Sequence, residues 1–378
     1  MGAPGALVTD ADLRNAVWGI RGLGRAGVPV RALAPRPSAA GLWSRHVRAR
    51  GLASNPAFAP DAFLEAVAEH ALRAGPLVTY LVREEALAAA IDRWGDAVPD
   101  GVLLPFAGLA SVARLRDKRE LPALGAAAGL PPPAVLAQGP AAGVREAPPT
   151  LPCVVKPAVA GGSLATARVV GSDAEWKQVL GGVRAQEPLV VQELLNGPLV
   201  SLALVLDRDG EVVAAFQEEA QRTWPVAAGS IALSHSVAPD PGLVERVATM
   251  LRAAGYWGLA QVDLLNAPGG HSLIDVNPRF YACLPLALAC GVNLPAAWHC
   301  VAVGERPRVP RGYPAGVRYR WLEGDLYAAA RGARERLRPA RATAGAIWAR
   351  DDPAPSAVLS AEPLVRAVGR RLPGRRRA

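Results

Sequence analysis

The sequence predicts an α/β protein that begins with a parallel sheet and continues into a mixed α+β region with a basic C-terminal segment. Strand-like and helix-like stretches alternate over residues 6–95, and beyond residue 113 short apolar strands gather in groups between Gly- and Pro-rich turns. Of the 378 residues, 51% are hydrophobic but 5% are aromatic. This composition is typical of a folded α/β chain and argues against a disordered one.

The N-terminal alternation predicts a parallel sheet with helices on both faces. Residues 6–10 (ALVTD) and 28–34 (VPVRALA) are strand-like and flank an amphipathic helix at 12–27. The order of helix then strand recurs at 63–82, and residues 84–95 form another helix. Strands separated by helices are characteristic of parallel sheets, because the chain must cross over before it pairs again.

Residues 22–27 (GLGRAG) match the GxGxxG pattern of dinucleotide-binding proteins. In those proteins the glycines form the turn between the first strand and its helix. Here they follow a whole amphipathic stretch, so we expect them to end the helix. A dehydrogenase is therefore a minor alternative hypothesis, with NAD binding at residues 10–27 as its test.

Beyond residue 113 the pattern is less regular. We predict a helix over 110–129, a loose loop over 138–150 and a strand at 152–158. Further strands are predicted at 188–195, 200–207, 211–217, 258–265 and 271–277, and further helices at 172–180, 243–255 and within 283–303.

The sequence predicts a cytoplasmic protein with no membrane span. The N-terminus lacks the basic and then apolar run of a signal peptide. The most apolar stretch, residues 283–303, is interrupted by Pro, Gly, Asn and His, so two short buried helices are expected there. The four cysteines form no CxxC pair and are expected to be free thiols.

The net charge of +9 is concentrated at the C-terminus. Residues 331–378 hold twelve Arg and no Lys against four acids, a net charge of +8, so the other 330 residues are close to neutral. This Arg-rich tail has no interleaved aromatic residues, and we expect no specific binding of nucleic acid.

The predicted hairpin at 258–277 carries candidate metal ligands. Pairing about a tip near Gly269 sets Asp263 opposite Asp275, and strand alternation puts Gln261 and Asn277 on the same face. Facing carboxylates repel unless a cation lies between them, and Mg²⁺ prefers such oxygen ligands. From the hairpin alone, two solvated acids on an exposed face are an equally good interpretation. The other face is predicted to be a core face and comprises Val262, Leu264, Ile274 and Val276.

Lysine usage marks a second candidate position. Of 42 cationic residues 39 are Arg, which leaves Lys118, Lys156 and Lys177. Lys156 ends an apolar strand and precedes a Gly-rich turn, residues 157–163 (PAVAGGS), whose backbone N–H groups can approach phosphates. An ammonium group there makes a point contact that a planar guanidinium does not reproduce. Lys177 lies on a polar helix face and is expected to have no special role.

Five motifs in order resemble the ATP-grasp superfamily: RDKREL, VVKPAVAGGS, VVQELLNG, GLAQVDLL and LIDVNPRF. The resemblance is greatest to the branch that includes carbamoyl-phosphate synthase large chains, biotin carboxylase and amino-acid ligases. It extends from residue 6 to about 304, and the opening LVTDADLRNAVWGIRGLGRAGVPVRAL is similar to a preATP-grasp domain.

The resemblance implies three regions. A Rossmann-like preATP-grasp domain would occupy residues 1–112 and an ATP-grasp domain residues 113–305. The latter would divide into an α+β lid at about 118–190 and a body at about 191–305. A short basic extension would follow at 306–378.

The resemblance also implies nucleotide contacts. Two lysines would contact the ATP phosphates, a glycine lid would cover them, and an interdomain strand would line the adenine pocket. These residues are Lys118 and Lys156, then Gly161, Gly162 and Ser163, and then Gln192, Glu193 and Leu195.

For the metal, the resemblance implies that Mg²⁺, with Mn²⁺ as an alternative, is bound by Asp263, Asp275 and Asn277. Arg279 would steady a substrate carboxylate or phosphate. Asp275 departs from the family, which usually has Glu there, and the acid that often contacts ribose is absent from residues 196–201 (NGPLVS).

The implied activity is an ATP-dependent ligase that converts a carboxylate into an acylphosphate for attack by an amine or related nucleophile. Lys156 and Arg279 would be its catalytic residues, and Gln221, Arg222 and His235 lie on the segment that faces substrate in relatives. The partners would be a small carboxylate and a small amine, and a homodimer is compatible with this resemblance. The alternative is a degenerate ATP-grasp protein that binds nucleotide for regulation or assembly.

Overall fold

The computed structural model describes residues 3–164, 166–226, 228–338 and 340–369, with side chains to residue 361. Three sheets organise these residues: a five-stranded parallel sheet, a four-stranded antiparallel sheet and a seven-stranded sheet that is antiparallel except at one end. This confirms the predicted α/β class with a parallel N-terminal sheet.

The parallel sheet has the order β3-β2-β1-β4-β5. Strands β1 and β4 at its centre are apolar and almost wholly buried, as expected where helices cover both faces. Its strands are β1 (Gly5–Val8), β2 (Val30–Ala34), β3 (Val47–Leu52), β4 (Leu77–Tyr80) and β5 (Val102–Leu103). Its helices are α1 (Arg14–Arg25), α2 (Pro60–Ala74) and α3 (Glu84–Arg93).

The glycines of GLGRAG lie in the last turns of α1 and just beyond it, not in the β1–α1 turn. A Cβ at Gly22 would come within 2.7 Å of Pro295 Cγ, and one at Gly24 within 2.3 Å of His46 Cβ. Gly27, with φ +81°, follows the helix in the left-handed region. These glycines serve close packing and helix termination, which confirms that the dinucleotide pattern is out of context.

The helix predicted over 110–129 is two helices, α4 (Leu109–Arg116) and α5 (Leu121–Ala127). The prediction of one helix was wrong because Pro122 starts a new first turn, where its missing N–H costs nothing. Between the helices, the backbone N–H of Lys118 donates to the carbonyl of Ala158 at 2.9 Å. The break thus ties this segment to the end of the strand formed by Cys153–Pro157.

The four-stranded sheet has the order β6-β9-β7-β8 and an apolar cluster of its own, which includes Trp176, Leu180 and Leu189. The loop predicted over 138–150 was wrong, because that segment contains the end of β6 and all of α6. Strand β6 is an edge strand whose largely exposed side chains conceal it in the sequence. The elements are β6 (Val135–Pro140), α6 (Ala141–Glu146), β7 (Cys153–Pro157), β8 (Arg168–Val170), α7 (Asp173–Gly181) and β9 (Pro188–Glu193).

The seven-stranded sheet has the order β14-β13-β10-β11-β12-β15-β16. Its strands are β10 (Leu199–Leu206), β11 (Val212–Trp224), β12 (Ser230–Val237), β13 (Gly258–Ala267), β14 (Gly270–Asn277), β15 (Arg318–Arg320) and β16 (Ala344–Gly345). The helices around it are α8 (Pro241–Ala253), α9 (Leu284–Ala289), α10 (Leu294–Ala302), α11 (Leu322–Ala329) and α12 (Pro353–Gly369). Helices α9 and α10 are the two short buried helices predicted within 283–303.

Part of the segment predicted as a C-terminal extension is built into the fold. Strands β15 and β16 continue the seven-stranded sheet. Farther on, Asp352 accepts hydrogen bonds from Arg21 Nε at 3.1 Å and from Ser44 Oγ at 2.8 Å, so it joins the start of α12 to α1 and the segment before β3. Residues 370–378 of the Arg-rich tail lie outside the described residues.

Two further predictions can be compared with these residues. Within the described part of the chain, no helix is both long and apolar enough to cross a membrane. The four cysteines are free thiols, three of them buried and Cys300 partly exposed.

Candidate nucleotide and metal site

The β13–β14 hairpin sets Asp263 opposite Asp275 and Gln261 opposite Asn277, as predicted. The turn pairs Ala267 with Gly270, and this register alone would bring Ile274 opposite Asp263. A β-bulge inserts one extra residue and moves Asp275 into that place. The expectation that Ile274 is a core residue was wrong: it is half-buried, and the fully buried Leu273 pairs with Leu264 instead.

The charged form of Asp263 is disfavoured by its surroundings. Burial, together with the nearby carboxylate of Asp275, raises the pKa of Asp263 to about 7. Its Oδ1 accepts a hydrogen bond from Gln261 Nε2 at 2.5 Å. Asp275 is partly exposed, and its Oδ1 lies 2.9 Å from Lys118 Nζ. A bound cation would relieve the repulsion between the two acids.

Asn277 completes a set of hard oxygen donors. Its Nδ2 donates to Gln261 Oε1 at 2.8 Å, and its Oδ1 accepts from Arg279 Nη2 at 3.1 Å. Two facing carboxylates and one amide oxygen fit Mg²⁺, which takes few protein ligands and retains water or phosphate oxygens. The described residues contain no cluster of three or more His, Cys, Asp or Glu side chains suited to a metal, so any Mg²⁺ site here would depend on this mixed set.

Lys156 connects the four-stranded sheet to the hairpin. Its Nζ, at the end of β7, donates to the Ile274 carbonyl at 3.3 Å. Burial lowers the pKa of Lys156 to about 8, although the charge of Asp275 opposes this shift. The structure therefore brings Lys118 and Lys156 together at the hairpin from segments that are distant in sequence.

The glycine turn after β7 is held by a carboxylate. Glu187 accepts hydrogen bonds from the backbone N–H of Ser163 at 2.8 Å and of Leu164 at 3.1 Å, and from the Ser163 hydroxyl. Gly161 has φ +109°, a conformation that favours glycine. Gly161 and Gly162 also line a cavity of about 250 Å³. The backbone donors that the sequence suggested for phosphate thus bind an anionic group, and Glu187 was not anticipated.

The segment predicted to read adenine ends earlier than expected, because β9 stops at Glu193 and not at residue 195. Gln192 Nε2 donates to the Pro133 carbonyl at 3.3 Å. Glu193 makes two contacts with Ala134, one through its backbone N–H (3.0 Å) and one through Oε1 (2.8 Å). Leu195 is half-buried in the link between the two antiparallel sheets. A nucleotide role for these residues stays a prediction.

Arg279 contacts α3, a helix of the N-terminal parallel-sheet region. Its Nε contacts Glu84 Oε1, and Arg116 Nε binds the other oxygen of the same carboxylate at 2.8 Å. Although burial opposes the shift, the two guanidinium groups lower the pKa of Glu84 to about 2. Glu84 lies at the start of α3, and no sequence motif marked it as part of a site.

A larger cavity of about 480 Å³ lies between the region of the N-terminal parallel sheet and the polar face that the hairpin shares with strands β10–β12. Its volume is in the range of small-molecule sites. Sequence reasoning identified Gln261, Asp263, Asn277 and Arg279 but missed much of the remaining polar lining. That lining includes Asp12, Arg14, Arg83, Glu218 and Tyr281.

Two residues of the segment that was predicted to face substrate make other contacts. Arg222 Nη2 pairs with Asp325 at 3.1 Å, and its Nη1 donates to the Arg336 carbonyl at 3.4 Å. His235 Nε2 lies 3.8 Å from Glu219 Oε2. The contacts of Arg222 are therefore with the C-terminal segment.

Residues 185–325 match the family model described as "ATP-grasp in the biosynthetic pathway with Ter operon". No curated protein matches the sequence significantly.

Similar solved structures include N5-carboxyaminoimidazole synthetase from Staphylococcus aureus (12% identity, 84% of this chain and 81% of that chain covered, TM-score 0.62). A biotin carboxylase–β-γ-ATP complex from Campylobacter jejuni is 14% identical, with 82% and 74% covered and a TM-score of 0.61. L-Amino acid ligase from Bacillus licheniformis is 15% identical, with 80% and 75% covered and a TM-score of 0.60.

The share of a neighbour's length that is matched varies. The chain spans 30% of the length of Rhizobium etli pyruvate carboxylase, another structural neighbour. At these identities the neighbours establish the fold and not the reaction. The chain therefore has the fold of these neighbours, with a five-stranded parallel sheet before a four-stranded and a seven-stranded sheet, and its residues 185–325 match an ATP-grasp family model.

Proposed function

We propose that the protein is an ATP- and Mg²⁺-dependent ligase that activates a small carboxylate as an acylphosphate for attack by an amine or related nucleophile. The observation that carries this proposal is the convergence of Lys118 and Lys156 on the hairpin that sets Asp263 opposite Asp275. Cationic side chains and paired acids at one place suit a metal–phosphate complex.

In this proposal Asp263, Asp275 and Asn277 hold the metal. When bound, Mg²⁺ would neutralise charge on the phosphates and complete its coordination shell with their oxygens. Lys118 would exchange its contact with Asp275 for a phosphate oxygen, and Lys156 would exchange its contact with the Ile274 carbonyl. Both exchanges replace an internal contact by a charge-assisted hydrogen bond to the nucleotide.

The glycine turn and the strand-to-sheet link complete the nucleotide site. The N–H groups near Gly161, Gly162 and Ser163 would bind phosphate, that of Ser163 in exchange for its contact with Glu187. Gln192, Glu193 and Leu195 would line the adenine pocket. We further propose that the lid comprises residues of about 118–190 and the body about 191–305, with the preATP-grasp domain at 1–112 and the C-terminal segment at 306–378.

The chemistry follows from the poor electrophilicity of a carboxylate. Transfer of the γ-phosphoryl group to the carboxylate makes a mixed anhydride, which the nucleophile attacks with release of phosphate. Phosphoryl transfer depends mainly on alignment and charge neutralisation, so the protein needs no covalent intermediate. Arg279, which lies beside Asn277, would steady the carboxylate. The proposal includes a cytoplasmic location, and a homodimer is compatible with it.

The experiment is an assay of ADP release by the full chain with Mg-ATP and a panel of small carboxylates and amines. The ligase predicts ADP release that requires both a carboxylate and Mg²⁺, with Mn²⁺ as a second metal to compare. Nucleotide binding without turnover on any pair would instead favour a regulatory or assembly protein. In the same samples NAD should produce no thermal stabilisation, which would eliminate the dehydrogenase hypothesis.

A further inference from the structure

Glu218 is buried beside the site without a complete set of partners. It is 1% exposed and lies on β11, where its Oε2 accepts a hydrogen bond from Ser234 Oγ at 2.5 Å. Its Oε1 has no hydrogen-bond partner within the described structure, although the weak S–H donor of Cys283 lies beside the carboxyl group. Burial raises the pKa of Glu218 to about 8. A buried carboxyl group with one oxygen lacking a hydrogen bond destabilises the folded protein unless a ligand donates that hydrogen bond.

The sheet register relates Glu218 to the proposed metal site. Ser201 of β10 pairs with Asp263 on one side and with Glu218 on the other, so the three side chains share one face. With neighbouring strands about 4.8 Å apart, Glu218 lies roughly 10 Å along this face from Asp263. This distance is too long for shared coordination of one ion. It suits the two ends of a small molecule, one at the reaction centre and one at Glu218.

Other polar atoms around the same cavity are also unpartnered within the described residues. The Tyr281 hydroxyl, the Arg14 Nη1 group and Asp12 Oδ1 are buried without a hydrogen bond. All three residues line the 480 Å³ cavity together with Glu218. Buried polar groups nearly always have partners, so four unpartnered ones around one cavity indicate a ligand with polar groups of its own.

Arg14 supplies a cationic end to this cavity. Its guanidinium carbon lies 4.2 Å from the ring centroid of Trp321, which fixes the group by a cation–π contact. Among the described residues Arg14 makes no ion pair, whereas the neighbouring Arg83 is paired with Asp10 and Asp12. Arg14 can therefore donate to a ligand carboxylate without breaking an existing pair.

We propose that this cavity binds a small molecule that carries both an amino group and a carboxylate, such as an amino acid. Glu218, with the Tyr281 hydroxyl, receives the amino group, and Arg14 receives the carboxylate. The inference that this molecule is one of the two substrates of the ligase rests on the proposed function. The cavity itself can be tested without turnover.

The test compares binding of the twenty common amino acids by thermal shift and calorimetry, with and without Mg²⁺ and a non-hydrolysable ATP analogue. For the amino acid that binds best, the amine without its carboxylate and the acid without its amino group are measured beside it. We expect the intact amino acid to bind more tightly than either fragment, because each fragment leaves Glu218 or Arg14 unpaired.

Separate variants test the proposed contact with the amino group and the proposed contact with the carboxylate. Glu218→Gln should weaken the amino acid about tenfold but leave the acid without an amino group unchanged. Arg14→Gln should likewise weaken binding of the amino acid but leave binding of the amine without a carboxylate unchanged. Glu219→Gln is the matched control: it is the next residue of β11, 42% exposed on the other face of the strand, and should bind like the wild type.

Three outcomes would overturn the inference: no amino acid binds, the fragments bind as tightly as the intact molecule, or Glu218→Gln binds the amino acid like the wild type. Failure of the ligase proposal looks different. In that case the ATP analogue gives no thermal shift and ATP is not turned over, while the amino acid still binds in the absence of nucleotide and still depends on Glu218.

Discussion

Lys118 Nζ lies 2.9 Å from Asp275 Oδ1, so a predicted phosphate contact and a predicted metal ligand are paired with each other. The pair joins the break between α4 and α5 to the end of β14 and shields one of two facing acids. Nucleotide and metal together would separate the two groups and give each a new partner. This contact therefore identifies the hairpin as the place where Mg-ATP binding should change the protein most.

Asp275→Asn should abolish Mg²⁺-dependent turnover and the stabilisation by Mg-ATP. Loss of the pair with Lys118 and relief of the repulsion with Asp263 oppose each other, so the ligand-free stability should change by less than about 1 kcal/mol. Melting curves with and without Mg-ATP measure both effects, since a ligand that binds the folded state raises the melting temperature. The exposed Asp92→Asn is the control, and a full Mg-ATP shift in Asp275→Asn would show that the acids hold no metal.

Lys156→Ala should weaken ATP binding and abolish turnover while the fold is retained. Lys156→Arg should restore little, because a planar guanidinium does not replace a buried ammonium group that reaches the Ile274 carbonyl beside a glycine turn. ATP affinity and ADP release measure the effect. Lys177→Arg, on the exposed face of α7, should behave as the wild type. Normal activity of Lys156→Arg would remove Lys156 from the phosphate site.

Asp352→Asn should destabilise the protein by about 3 kcal/mol or more, because it leaves a buried guanidinium without its counter-charge. The side chains of Arg21 and Asp352 are 0% and 2% exposed. The adjacent Asp351→Asn breaks a surface pair with Arg25, with 31% and 46% exposure, and should cost less than about 1 kcal/mol. Denaturant unfolding of the two variants compares them. Equal effects would mean that the C-terminal segment is not anchored by Asp352.

His299 should make the stability depend on pH between about 6.5 and 4. It is buried, its Nε2 donates to the Pro4 carbonyl at 3.1 Å, and its Nδ1 accepts from the Tyr80 hydroxyl at 3.1 Å. Burial lowers the pKa of His299 to about 4. The unfolded chain takes up the proton first as the pH falls below 6.5, so up to about 3 kcal/mol of stability is lost toward pH 4.

The measurement for His299 is the difference in unfolding free energy between the wild type and His299→Gln. This difference should be constant above pH 7 and should move in favour of the variant as the pH falls from 6.5 to 4. Parallel stability curves over this range would contradict the assignment.

Removal of residues 366–378 should leave ATP turnover and stability nearly unchanged, since the anchoring contacts of Asp352 and Ser356 precede the cut. The same two assays on the truncated chain check this. Loss of turnover on truncation would place the tail in the site.

Local patterns in the sequence determined much of the fold and part of the site. Alternating strands and helices predict the parallel sheet, because their periodicity reflects which faces are buried. The position of the glycines at the C-terminal end of α1, and not at its start, excludes a dinucleotide turn for a similarly local reason. Alternation along two short strands places Asp263 and Asp275 on one face, and the scarcity of lysine draws attention to Lys118 and Lys156.

Tertiary structure decided how these residues meet. The bulge at Ile274 moves the register by one residue, and nothing in the hairpin sequence specifies its position. No sequence motif marks Glu84, Glu187 or Glu218, because each gains its role from partners that are distant in sequence. Glu84, for example, binds a guanidinium group 195 residues away. Local patterns record burial and turn preference, whereas contacts of this kind arise only when separate segments pack together and leave buried charges to be paired.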